Sequence, residues 1–158
     1  GSIHAFDLEG TPQWAESVDG TPDDGPVVAD GVVYVAGGSE LHAFNLFSGE
    51  ALWTTEIESL VIAAPAVADG RGFLSTEQGE VVAVDAALGL ESWRHHVFDL
   101  IAGSPMVFGE SIVVLGAEGR IASLDARWIL VALLFREQSV RVGACVADHV
   151  SSPHRARD

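Results

Sequence analysis

The chain has 158 residues, a formal net charge of −15, one Cys and no Lys, so all 8 basic residues are Arg. That length holds one domain or part of one. No basic stripe is present to bind nucleic acid or an anionic membrane surface, Cys145 has no partner for an intrachain disulfide, and the apolar run at 129–135 is far too short to cross a bilayer.

Taken in chain order, Gly and Pro cut the sequence into short apolar runs. Residues 1–17 read as two strands. The next unit has runs at 26–29, 32–36, 41–46 and 51–57, separated by Asp30-Gly31, Gly37-Gly38-Ser39 and Ser48-Gly49. These turn residues supply positive φ or a side-chain cap, so each connection reads as a hairpin. The plan recurs with Asp69-Gly70, Gln78-Gly79 and Leu88-Gly89, then with Gly109-Glu110 and Glu118-Gly119. No segment before 126 has the length and 3.6-residue spacing of a good helix.

The units are copies of one another. A motif ending in Trp occupies 5–14 (AFDLEGTPQW), 43–53 (AFNLFSGEALW) and 83–93 (AVDAALGLESW), and a fourth copy begins at Ser123-Leu124-Asp125-Ala126 and breaks off. Trp14, Trp53 and Trp93 are 39 and 40 residues apart, as are Pro26, Pro65 and Pro105, while Asp7, Asn45, Asp85 and Asp125 step by 38, 40 and 40. The short first step reflects one residue missing between Asp7 and Trp14. A fixed period of this size means stacked supersecondary units. Runs such as Val32-Val33-Tyr34-Val35 and Ile112-Val113-Val114-Leu115 look covered on both faces. Four-stranded antiparallel sheets with no helix to cover them must pack on copies of themselves, which is the logic of a β-propeller.

The residues after Trp14, Trp53 and Trp93 are Ala15, Thr54 and Arg94, not the Asp of a WD repeat, and the period is too short for kelch. The pattern resembles the PQQ-type repeat of quinoprotein propellers, in which Ala, Asp or Asn, Gly and a terminal Trp form a docking motif between blades. Ala43, Asn45, Gly49 and Trp53 match it, as do Ala83, Asp85, Gly89 and Trp93; Ala5, Asp7, Gly10 and Trp14 match with the deletion. The resemblance spans 1–126. It implies an all-β, open, partial propeller of four-stranded antiparallel blades: a half blade at 1–17, then blades at about 25–57, 64–96 and 104–126 onward. The three Trp then read as packing residues rather than ligand platforms.

Charge and composition change where the repeat fails. Residues 1–126 hold 20 acids and 3 Arg, a balance of −17, whereas 127–158 hold 3 acids and 5 Arg, or +2. Acid richness without Lys fits a surface adapted to molar salt, where screening relieves self-repulsion, and hence a halophilic source; an ordinary acidic protein is the alternative. Residues 127–158 read as a divergent closing strand, a fusion boundary, or non-native sequence translated in a shifted frame, the last being favoured.

Chemistry-bearing clusters are few. His4 and His42 share one repeat position and read as ring-shaped packing residues. His95 and His96 are adjacent on a strand and so face opposite ways. No metalloprotease helix, P-loop, zinc-type Cys pair or nucleophile elbow is present. No catalytic residue and no metal ligand is assigned. The resemblance implies a non-catalytic, BamB-like binding scaffold, extracytoplasmic or associated with the cell envelope. Its partner would be a protein or the remaining blades of a parent propeller, and open sheet edges favour self-association. The alternative it implies is a fragment of a quinoprotein dehydrogenase holding PQQ with calcium. A sensor propeller attached to a kinase or other module is a third reading. No cofactor is expected outside the dehydrogenase reading.

Overall fold

Each repeat unit is an up-and-down meander, because every connection is short enough to turn the chain straight back. The computed structural model describes residues 1–20 and 24–126; the tail, with Trp128, Cys145 and the readings of 127–158, lies outside the described residues. The first sheet pairs β1 (Ser2–Phe6) with β2 (Pro12–Ser17). The second contains β3 (Val27–Ala29), β4 (Val32–Gly37), β5 (Glu40–Asn45) and β6 (Ala51–Glu56) in that order. The third repeats it with β7 (Ala66–Ala68), β8 (Arg71–Ser75), β9 (Glu80–Asp85) and β10 (Glu91–His96). The fourth has β11 (Met106–Phe108), β12 (Ser111–Leu115) and β13 (Ile121–Asp125) among the described residues. All pairings are antiparallel. The one helical element among the described residues is the 3-10 turn Ala117–Gly119. The result is an open, all-β partial propeller.

The hairpins between the first two strands of the complete sheets follow from their Asp-Gly pairs. Asp30 and Gly31 have φ of 49° and 78°, and Asp69 and Gly70 have 50° and 71°. Two successive residues in the left-handed region make the tight turn whose twist suits a two-residue hairpin.

Sheets cover one another through three successive cores. Val18, Val33, Val35 and Phe44 join the first sheet to the second. Leu41 and Ala43 meet Leu74, Val82 and Val84 between the second and third. Phe73, Val81 and Ala83 meet Ile112, Val114 and Leu124 between the third and fourth. Strand alternation does the sorting: in β5, Leu41 and Ala43 serve the following sheet while Phe44 serves the preceding one. The middle strands β5 and β9 are therefore buried on both faces, while β6 has alternating exposure. Each fully buried Leu, Val or Ile contributes about 1.5–3 kcal/mol, so the middle strands carry the stack.

Candidate functional site

The repeated motif builds a clasp between neighbouring sheets. Within each sheet the motif Ala stands directly opposite the motif Trp: Ala5 with Trp14, Ala43 with Trp53, and Ala83 with Trp93. A register shift beside each of these pairs marks a bulge at the same point in all three copies.

The motif Asp or Asn caps the turn that follows. Asn45 Oδ1 accepts the amides of Phe47 and Ser48 at 2.9 and 3.0 Å, and Asp85 Oδ1 accepts those of Ala87 and Leu88, both at 2.9 Å. Asp7 Oδ1 accepts those of Glu9 and Thr11 at 3.1 and 2.7 Å. In the full-length copies the Gly amide closes onto the carbonyl four residues back, Gly49 onto Asn45 and Gly89 onto Asp85. In the first copy Gly10 closes onto Asp7, three residues back. The deletion is absorbed inside this turn.

The capped turn receives the indole of the preceding sheet. A Cβ at Gly49 would lie 2.7 Å from the Trp14 ring, and one at Gly89 would lie 2.7 Å from the Trp53 ring; both glycines have positive φ. Here Gly is required by space as well as by backbone conformation. Trp14 Nε1 donates to the Leu46 carbonyl at 2.9 Å and Trp53 Nε1 to the Ala86 carbonyl at 3.2 Å, each the residue after the motif Asn or Asp. The Tyr34 hydroxyl donates to the same Ala86 carbonyl at 3.3 Å. Burial, with Asp30 and Asp85 nearby, raises the Tyr34 pKa above its ordinary value. Thr55 Oγ1 adds a hydrogen bond to the Gly89 carbonyl.

The third clasp is built differently. Trp93 packs on Phe73 at 6.1 Å, but its buried indole nitrogen has no hydrogen-bond partner among the described residues. The Ala126 carbonyl, at the repeat position of Leu46 and Ala86, accepts Arg71 Nη1 at 2.6 Å instead. Phe73 stands at the position of Tyr34 and has no hydroxyl to offer. Between the turns after β7 and β11 a cavity of about 220 Å³ remains, lined by Asp69, Arg71, Phe73, Val107, Glu110 and Ala126 among others.

Sequence reading passed over the three Arg of the body, although their scarcity among 20 acids was a signal. Each bridges neighbouring units. Arg71 reaches Ala126; Arg94 bonds Glu80, Glu91 and the Ile57 carbonyl at 3.2, 2.7 and 2.9 Å; Arg120 lies 4.8 Å over the Phe98 ring. The hydrogen bond to Glu91 raises the Arg94 pKa further, so this side chain is always a cation.

The two equivalent histidines differ. His42 is 6% exposed, with Nδ1 at 3.1 Å from Thr54 Oγ1 and Nε2 at 3.4 Å from Glu40 Oε2. His4 is exposed and contacts Ser2 Oγ at 3.1 Å. Among the described residues, no three His, Cys, Asp or Glu gather as a metal site, and no helix is long and apolar enough to cross a membrane.

Comparison with known proteins places this geometry. The family described as outer membrane protein assembly factor BamB matches residues 1–155. A 1-butanol dehydrogenase (cytochrome c) of Thauera butanivorans is 31% identical over 149 residues, covering 79% of this chain and 20% of that protein. The outer membrane protein assembly factor BamB of Bordetella pertussis is 27% identical over 142 residues, covering 79% of this chain and 37% of that protein. The crystal structure of BamB from Moraxella catarrhalis has the same fold, with a TM-score of 0.70 at 22% identity over 79% of this chain and 39% of that one. The chain thus spans well under half the length of these relatives.

Proposed function

The chain belongs to the BamB family of PQQ-type propeller proteins, and we propose that it is a propeller segment acting as a non-catalytic binding scaffold at the cell envelope. The observation that carries this reading is the use of its Trp side chains. Trp14 and Trp53 give both the ring and the N–H to the next sheet, so neither is free to act as a ligand platform. On this reading Ala5, Asp7, Gly10, Trp14, Ala43, Asn45, Gly49, Trp53, Ala83, Asp85, Gly89 and Trp93 hold blades together rather than bind substrate. The partner is a protein or further blades, and association between copies uses the open sheets.

The dehydrogenase reading is favoured by the 31% identity to a 1-butanol dehydrogenase. It requires PQQ with calcium. Among the described residues no three carboxylate, His or Cys side chains gather, and no step is derived through the group. The experiment that separates the readings offers PQQ and calcium to the full-length parent and measures binding and dye-linked alcohol oxidation. The scaffold reading expects neither; tight binding with dye reduction would replace it by the enzyme.

A further inference from the structure

The strand-end turns on one side of the molecule form a continuous rim. In the second sheet the Leu46 amide donates to the Gly31 carbonyl at 2.9 Å, and in the third the Ala86 amide donates to the Gly70 carbonyl at 2.9 Å. These bonds fasten the turn between the first two strands of each unit to the turn between its last two. The clasp then joins unit to unit, because Trp53 seats on Gly89 and bonds the Ala86 carbonyl. A Cβ on Gly31 would lie 3.9 Å from the Phe47 ring, so that ring stands beside the neighbouring turn.

Large apolar side chains stand out of this rim. Phe47 is 82% exposed, Leu88 64% and Leu90 63%. The clasp does not require them: in the aligned turns 45–50 and 85–90, Phe47 corresponds to Ala87, Leu88 to Ser48 and Leu90 to Glu50. Their exposure does not depend on where the stack stops, since the second and third sheets each have a described sheet packed on both faces. Further blades add sheet against sheet and leave strand-end turns uncovered. Asp30, Glu50 and Asp69 are exposed on the same rim, and Arg71, which follows the Asp69-Gly70 turn, is held by the Ala126 carbonyl. Exposed apolar side chains gathered among acids mark an interaction surface, and the charge selects its partner.

We propose that this rim docks a basic, amphipathic segment of a partner protein, with apolar side chains over Phe47, Leu88 and Leu90 and Arg or Lys against Asp30, Glu50 and Asp69. The 20 acids and 3 Arg of residues 1–126 repel an anionic segment or an anionic membrane surface and favour a basic one. The proposal rests on the scaffold reading and names the chemistry of its protein partner and the surface that meets it. Apolar anchors supply the affinity, while the charge pairs fix orientation and association rate and weaken as salt is added.

Fluorescence anisotropy of a labelled peptide of alternating Leu and Lys, titrated with the full 158-residue chain, tests this. The chain binds this peptide and binds one of alternating Ser and Lys about tenfold or more weakly. Phe47→Ala combined with Leu88→Ser installs residues that the aligned turns already carry, and lowers affinity for the Leu–Lys peptide by about tenfold or more. Asp30→Asn and Asp69→Asn each weaken binding about two- to fivefold at low salt, as for an exposed ion pair, and flatten its salt dependence. Asn tolerates the left-handed backbone at both positions. Leu60→Ser, at an exposed Leu whose carbonyl accepts the Glu77 amide on the opposite side of the molecule, binds like the parent chain. Equal affinity for the two peptides, an equal loss in Leu60→Ser, or partition of the chain into phosphatidylcholine vesicles that Phe47→Ala abolishes would overturn the proposal. Those results leave the scaffold reading standing, whereas alcohol oxidation by the full-length parent would remove that reading without altering the peptide result.

Discussion

The clasp at Trp53 and the clasp at Trp93 come from the same motif and reach different ends. At Trp53 the ring rests on Gly89, the N–H reaches the Ala86 carbonyl, and Tyr34 shares that acceptor. At Trp93 the ring packs on Phe73 as Trp53 packs on Tyr34, but the N–H has no hydrogen-bond partner among the described residues, and Arg71 has taken the Ala126 carbonyl. The same motif thus meets different donors at the acceptor carbonyl in these two junctions. An acceptor carbonyl takes whichever donor reaches it, and Arg reaches farther with a charged group.

The largest effect expected from breaking this comparison is at the complete clasp. Trp53→Ala removes a part-buried ring and opens a cavity against Gly89, costing about 3 kcal/mol, the lower end for buried aromatic truncations. Urea denaturation measures it; an unchanged midpoint would show that the ring does not hold the sheets together.

A finer probe removes only the indole N–H. Trp53→Phe loses a hydrogen bond, whereas Trp93→Phe removes a buried polar group that has no partner among the described residues. The first is therefore destabilised by about 1 kcal/mol more than the second. Equal costs in thermal or chemical denaturation would mean that the two clasps are bonded alike.

The smallest effect lies in alkaline solution. The folded-state pKa of Tyr34 is raised, chiefly by burial, so the neutral phenol is the form the fold holds. Its contribution is complete below the unfolded value of about 10 and is lost as pH rises from there through the folded value. Tyr34→Phe costs about 0.5–1 kcal/mol at neutral pH for the lost hydroxyl bond and shows a shallower fall in stability above pH of about 10. A stability profile in alkali identical to that of the parent chain would exclude Tyr34 as the titrating group.

Much of this architecture was legible beforehand for identifiable reasons. Asn45, Asp85 and Asp7 bond amides two to four residues ahead, so their spacing from Gly and Trp is written locally. The Asp-Gly hairpins are equally local. The apolar run Val32–Val35 of β4 announced burial on both faces because neighbouring sheets flank it, whereas in the run Ile112–Leu115 of β12 the last residue is 42% exposed. By contrast, His4 and His42 are the same residue in the same local setting, yet one is exposed and the other buried, because among the described residues only His42 has a sheet packed on its face. The Arg71 bond to Ala126 was hidden for a similar reason: its partners are 55 residues apart, on different repeats.

By itself, then, the sequence determined the strand period, the capped turns and the pairing of each motif Ala with its Trp, since these depend on backbone conformation and hydrogen bonds within one unit. Only the tertiary structure decided which donor fills each inter-sheet acceptor and where a cavity remains. Those outcomes depend on side chains brought together from separate units, and a period shared by all units cannot distinguish one junction from the next.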